Sequence, residues 1–224
     1  MTTLMTYAGT AAPDSLQTRT GGVPVAPAGT AWPHCATCDG PMQFLAHVLL
    51  DDLGHHAGQG ATEGRGLLAL FMCQNDPGMC AEWNPTSGGN RALIFPTTGL
   101  QAIPVPTIDT EDEDEDDDTV LLGEVSAVTF EPPTPAAYDQ AHKEWRTTHT
   151  GRSPLEILGQ LGGHPTWLQY DETPACPTCT EAMTLVTQLE EGRTHTTAMN
   201  FGGRGKAYAF ACEPCAQALF LWQC

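Results

Sequence analysis

Eight of the chain's nine cysteines fall into two sets at matched offsets, and those offsets limit the fold more than any other feature. Gly21-Gly22-Val23-Pro24 is answered by Gly162-Gly163-His164-Pro165. Thirteen positions beyond the second glycine begins a Cys-x-Thr-Cys turn, with Cys35 and Cys38 in one case and Cys176 and Cys179 in the other. Four residues past each turn stands a methionine, Met42 or Met183. Gly64-Arg65-Gly66 then precedes Cys73 by seven positions, as Gly203-Arg204-Gly205 precedes Cys212. The interval from turn to Gly-Arg-Gly is 26 positions in the first copy and 24 in the second. A two-residue slip between fixed blocks is what a hairpin tip absorbs. The pattern predicts an internal duplication of one zinc-ribbon-like, strand-rich unit.

Residues 42–50 alternate in period two, and 67–72 is a nearly continuous apolar run, so the first copy reads as a hairpin around a turn at 51–60. Shorter apolar runs at 92–95, 120–122 and 125–130 read as further strands. Residues 135–148 read as a helix, and 153–158 as a second short one that glycines terminate. In the second copy, Tyr208 and Phe210 alternate with Ala207, Ala209 and Ala211, and an alanine face predicts close approach by something bulky. Twenty-three glycines and eighteen prolines also argue against a helical bundle. The expected fold is α+β, dominated by antiparallel β. Its expected parts are a poorly anchored lead-in (1–20), a first lobe (21–108), an acidic loop (109–118), connecting strands and helices (119–161) and a second lobe (162–224).

A Cys-x-x-Cys turn presents two thiolates on one side of a tight loop, and a second pair completes a tetrahedral site. The second copy offers Cys176, Cys179, Cys212 and Cys215; the first offers Cys35, Cys38, Cys73 and Cys80, whose last two are separated by six residues. These sets predict two structural zinc ions per chain, because four thiolates leave no position for water or substrate. The competing reading is cysteines acting as small buried hydrophobes. Cys224 is left over. His34, His55, His56 and His164 could open a catalytic zinc site only if one replaced a cysteine, and no motif supports any of them. The two Gly-Arg-Gly segments read as turns whose amides could hold an anion. No catalytic residues are predicted.

The formal charge is −18 with nine basic residues, which argues against direct nucleic-acid binding. Half of that charge sits in 109–118, where nine of ten positions are acidic, a solvated loop or a contact for a basic protein partner. No signal-like or membrane-spanning apolar run is present, so the chain reads as cytoplasmic, where thiols stay reduced.

The order Gly-Gly-x-Pro, Trp32-Pro33, Cys-x-x-Cys, then Met42-Gln43-Phe44-Leu45-Ala46 resembles the bacterial YwqG-like family, closely over 20–47 and more loosely over 161–188. The same features are similar to programmed cell death protein 2 and its yeast ribosome-assembly relatives. The resemblance implies a duplicated, β-rich protein that binds other proteins; the eukaryotic relatives chaperone a small-subunit ribosomal protein, and toxin neutralisation has been suggested for some bacterial members. Many YwqG-like sequences lack the cysteines, which favours a structural role for the metal. The acidic run departs from the family pattern. The expected function is therefore a zinc-stabilised, protein-binding scaffold for a basic client, with a toxin-neutralising protein and a metal-dependent enzyme with an open zinc site as alternatives.

Overall fold

A computed structural model describes residues 1–58, 64–107, 120–194 and 198–224. The first part of the chain forms β1 (Thr3–Tyr7), β2 (Arg19–Thr20), β3 (Val25–Pro27), β4 (Gln43–Leu49), helix α1 (Asp51–His56), β5 (Leu67–Met72), β6 (Asn90–Phe95) and β7 (Leu100–Ala102). There follow β8 (Ser126–Phe130), helix α2 (Tyr138–Thr148), β9 (Ile157–Leu161), β10 (Thr184–Leu189), β11 (Lys206–Cys212) and β12 (Gln217–Gln223). Ten of these strands make one antiparallel sheet in the order β12-β11-β10-β9-β1-β8-β2-β4-β5-β6, while β3 pairs with β7. The two ends of the sheet approach each other: Trp222 donates its backbone N–H to the Trp83 carbonyl at 3.4 Å, and the two indoles meet edge to face at 6.3 Å. The result is a nearly closed, barrel-like sheet.

The strand order is the same read from either end. Outward from the middle, β9-β10-β11-β12 mirrors β2-β4-β5-β6. The two central strands are crossed over: β1 pairs with β9 of the second half, and β8 pairs with β2 of the first. Each half therefore lends its leading strand to the other.

One apolar cluster fills the space the sheet encloses, drawing Met5 from β1, Ala46 and Val48 from β4, Leu68 and Leu70 from β5, Leu189 from β10 and Phe220 from β12. The predicted alanine face lies in this cluster, so Ala207, Ala209 and Ala211 give room to leucines and methionine of the first half. Outside the sheet, Trp32, Phe44 and Phe71 pack beneath the first cysteine strap, and Met183, Tyr208 and Phe210 beneath the second. A third outer cluster seats α2 through Tyr138, Ala141 and Trp145.

Strict alternation fails where a bulge interrupts it. The register shifts between Phe44 and Ala46 in β4 and at the matching place, between Leu185 and Thr187, in β10. Phe44 is thereby in the outer cluster while Ala46 is in the inner one, although the sequence reading put them on one face. Both Gly-Gly pairs turn the chain through two consecutive left-handed residues, with φ of 66° and 79° at 21 and 22, and 59° and 77° at 162 and 163. A Cβ on Gly21 would lie 2.3 Å from the Glu124 carbonyl oxygen, so these motifs are backbone requirements.

Four expectations are corrected. Residues 3–7 are not a loose lead-in but a buried central strand, because β8 and β9 pair with it on either side while Leu4 and Met5 pack into two different apolar clusters. Residues 51–56 are a short helix rather than turn alone. Residues 157–161, partly assigned to a helix, are β9; the capping box of Ser153 and Glu156 starts only a single 3-10 turn. Residues 120–122 contribute one bridge, Leu122 to Phe44, rather than a strand. The acidic run 109–118 lies outside the described residues.

Candidate metal centres

Each knuckle is built by the same hydrogen bonds. In the first, Cys35 N–H donates to Gly40 O at 2.9 Å, Asp39 N–H to Cys35 O at 3.0 Å and Met42 N–H to Pro33 O at 3.0 Å. In the second, Cys176 N–H donates to Glu181 O at 2.8 Å, Thr180 N–H to Cys176 O at 2.9 Å and Met183 N–H to Pro174 O at 2.9 Å. The turn aims an amide at the leading sulfur, Thr37 N–H to Cys35 Sγ and Thr178 N–H to Cys176 Sγ, each at 3.4 Å. The methionine of the repeat thus closes the turn through its backbone, and its side chain anchors the strap in the outer cluster.

The chain leaving β5 supplies Cys73 and, from the following loop, Cys80; the end of β11 supplies Cys212 and the 3-10 turn after it Cys215. The structure brings Cys35, Cys38, Cys73 and Cys80 together, and separately Cys176, Cys179, Cys212 and Cys215, with all sulfurs of a set within 4.8 Å of one another. Cys38 and Cys73 sulfurs lie 3.7 Å apart, as do those of Cys179 and Cys212. A tetrahedron with bonds of ~2.3 Å has edges of about 3.8 Å, so the spacing fits a thiolate-bound metal and is far too long for a disulfide. All nine cysteines are free. The eight thiols can hold two metal ions.

The thiols within a set differ electrostatically. Burial pushes the Cys35 thiol up, but amides of Cys38 and Thr37 outweigh it and bring it down to about 7. The same contest brings Cys176 down to about 6, with Cys179 and Thr178 supplying the amides. Burial raises Cys73 to about 11. Cys215 is raised to about 12, first by the neighbouring Cys179 thiol and then by desolvation. In each knuckle the leading thiol is ready to ionise, and a cation could draw the others after it.

None of His34, His55, His56 and His164 joins either set. His34 Nδ1 contacts the Asp39 carbonyl at 2.6 Å, His56 stacks on Phe130 at 4.4 Å, and the His164 carbonyl accepts from Gln160. Cys224 is exposed outside both sets.

Several residues that shape these centres were not read from the sequence. Asn75 Nδ2 donates to Cys73 Sγ at 3.2 Å and to the Pro41 carbonyl at 3.2 Å, tying the longer first loop to its knuckle. The Gly-Arg-Gly turns do hold anions, supplied by the chain itself: Asp51 accepts from Gly64 and Arg65 amides at 2.9 and 2.8 Å, and Glu191 from Gly203 and Arg204 amides at 2.9 Å each. Behind each strap lies a buried polar pair. Arg19 donates to the carbonyls of Ser15, Gly21 and Val23, beside His47, which accepts from Val25 N–H at 3.4 Å. In the same repeat positions, Gln160 donates to the His164 carbonyl at 2.8 Å, and Gln188 accepts from Thr166 N–H at 2.9 Å. The signal was present: Arg19 and Gln160 both stand two residues before a Gly-Gly, and His47 and Gln188 five past a methionine.

Residues 18–224 match the family described as "Domain of unknown function (DUF1963)". The chain belongs to this family. The match begins just before β2 and takes in both cysteine sets, so both centres lie within the DUF1963 domain. The chain is also similar to the "Uncharacterized protein YpfL" of Salmonella typhimurium, 38% identical over 77 residues, which cover 30% of this chain and 17% of that protein. No helix of the described residues is long and apolar enough to cross a membrane.

Proposed function

We propose that this DUF1963 chain is a duplicated, zinc-stapled scaffold that binds a basic protein client such as a ribosomal protein. One observation carries the zinc reading. Among the described residues five non-glycines have positive φ, and four of them, Asp39, Ala81, Thr180 and Ala216, directly follow the second cysteine of a pair. The left-handed conformation costs roughly 1–2 kcal/mol per residue. A structural zinc contributes about 10–16 kcal/mol, enough to hold all four. Sulfur-only donors favour zinc over hard cations, and a closed set of four thiolates favours a structural over a catalytic role.

The protein-binding part rests on surface chemistry and on the resemblance to YwqG-like proteins and programmed cell death protein 2. The loop stapled by Cys73 and Cys80, with the residues just after it, exposes Met79 (70%) and Trp83 (43%), residue types enriched in interfaces. Net charge of −18 supplies attraction for a basic client.

Two measurements test the reading. Elemental analysis of protein purified without added metal should find about two zinc ions per chain, matching the two sets, with nine free thiols after denaturation. No zinc with nine thiols would return the cysteines to core packing. Association with a panel of purified small-subunit ribosomal proteins should be saturable and weaken with salt; deleting 109–118 should slow it and flatten the salt dependence. Absence of saturable binding across the panel removes the client, and unchanged low-salt rates remove the acidic run from the contact.

A further inference from the structure

A cleft of about 510 Å³ opens between the two halves beside the second cysteine set. Its walls include Leu50, Leu53 and Ile94 from the first half, and Leu185, Val186 and Ala211 from the second. The size falls in the ~300–1,000 Å³ range of small-molecule sites, and the lining is apolar apart from a few polar groups. One of those groups is a cation in an unusual position. The Arg65 side chain is only 10% exposed, and its Nε is buried with no hydrogen-bond partner among the described residues.

The backbone explains how it got there. Asp51 clamps the Gly64 and Arg65 amides, which fixes the turn and commits the side chain to the cleft. Once there, the guanidinium reaches the Leu50 carbonyl at 3.4 Å and pairs with Glu213, whose own side chain is 57% exposed. A guanidinium has five donors in a planar fork suited to a carboxylate. Here that fork is desolvated and only partly matched, and its acidic partner among the described residues, Glu213, sits at the rim where water competes for it. Arg204, the counterpart in the other half, is exposed, so the arrangement is not a by-product of the repeat.

We propose that this cleft binds a small aliphatic carboxylate, with the acid on Arg65 and the chain along Leu50, Leu53, Ile94, Leu185 and Val186. The incoming carboxylate takes the buried face of the fork and displaces Glu213 into solvent. The cleft is also lined by Glu181 and by the Cys179 and Cys212 thiols of the second set, which oppose an incoming acid, so binding rests on direct contact with Arg65 and not on the field of the cleft. Charges beyond a Debye length of ~8 Å are largely screened, whereas Arg65 is in contact. Neither Met79 nor Trp83 lines the cleft, and the carboxylate reading does not rest on the client reading.

The test is calorimetric titration of the full, metal-loaded chain with decanoate. Saturable one-to-one binding is expected. Decanol should bind at least about tenfold more weakly, as should decanoate to Arg65→Gln, since a charge-assisted hydrogen bond is lost in each case. Arg65→Lys should retain part of the affinity, and Arg204→Gln all of it. Glu213→Gln, which removes the competing acid, should tighten binding. A short peptide ending in a free leucine carboxylate, compared with its amide, then identifies the source. Displacement of decanoate by the acid alone assigns a chain terminus, and no displacement assigns a free aliphatic acid; either upholds the carboxylate site. No saturable binding of decanoate, or equal binding of decanoate and decanol, overturns the proposal. Unchanged binding by an Arg65→Gln protein with wild-type circular dichroism overturns it as well.

Discussion

The two cysteine centres share one backbone geometry and differ in what surrounds it. In the first, Cys35, Cys73 and Cys80 are buried and the Asn75 amide caps the Cys73 sulfur. In the second, Cys212 and Cys215 are only partly buried, and Pro214, which has no side-chain donor, stands in Asn75's place. The left-handed residue after each pair and the 3.7 Å sulfur contact are common to both. The difference therefore lies in the four extra residues between Cys73 and Cys80, which build a cover without altering the thiol positions. Geometry is set by the knuckles, and protection is set by the loop.

Removing one thiolate from each centre gives the largest effect and asks how far the centres depend on each other. Cys80→Ser and Cys215→Ser should each leave about one zinc by elemental analysis, and Cys80→Ser should lower Tm by about 10 °C or more, the larger loss, because it also opens a buried site. Equal losses would mean that the loop contributes no stability. Next come the polar pairs behind the straps. Arg19→Met leaves three carbonyls unanswered and should cost about 3 kcal/mol in urea unfolding, against about 1 kcal/mol for Gln160→Met. A reversed order would show that the desolvation of Arg19, which lowers its pKa to about 10, dominates its hydrogen bonds.

Asn75→Ala makes the first centre resemble the second. Zinc affinity there should fall about tenfold by competitive chelator titration, with the second centre unchanged. The smallest effect is confined to acid. Burial, with Arg19 adding to it, holds His47 well below its ordinary pKa of 6.5, so the unfolded chain takes up a proton that the folded chain refuses. Stability is then intact above pH 6.5 and declines below it. His47→Gln installs the residue type found at position 188, and the difference from wild type should vanish above that pH and grow beneath it. A constant offset at every pH would mean that packing, not the proton, distinguishes the two pairs.

The paired cysteines, the hairpins and the alanine face were legible because each rests on local spacing or alternation. What escaped rests on long-range pairing. Thr3–Tyr7 is five residues with no clear period, and its pairing with β8 and β9 is what makes it a strand. Residues 157–161 follow a good helix-capping box, and the sheet overrode it. Asp51 and Glu191 were hidden because a carboxylate bound to amides more than ten residues ahead leaves no signature. The buried pairs Arg19 with His47 and Gln160 with Gln188 could have been found by aligning the two copies and asking why polar residues interrupt apolar runs at equal offsets.

The crossing of the leading strands has a consequence for how the chain is made. Among the described residues β1 pairs with β8 and β9 alone, so these neighbours do not exist until about 120 further residues have been synthesised. At roughly 5–20 residues per second that is about 6–24 s during which Thr-Leu-Met-Thr-Tyr has no strand to lie against. The first cysteine set, by contrast, is complete once Cys80 has emerged. Metal capture can thus precede closure of the sheet, leaving the nascent chain stapled at one corner while its central strand waits for the second half to arrive.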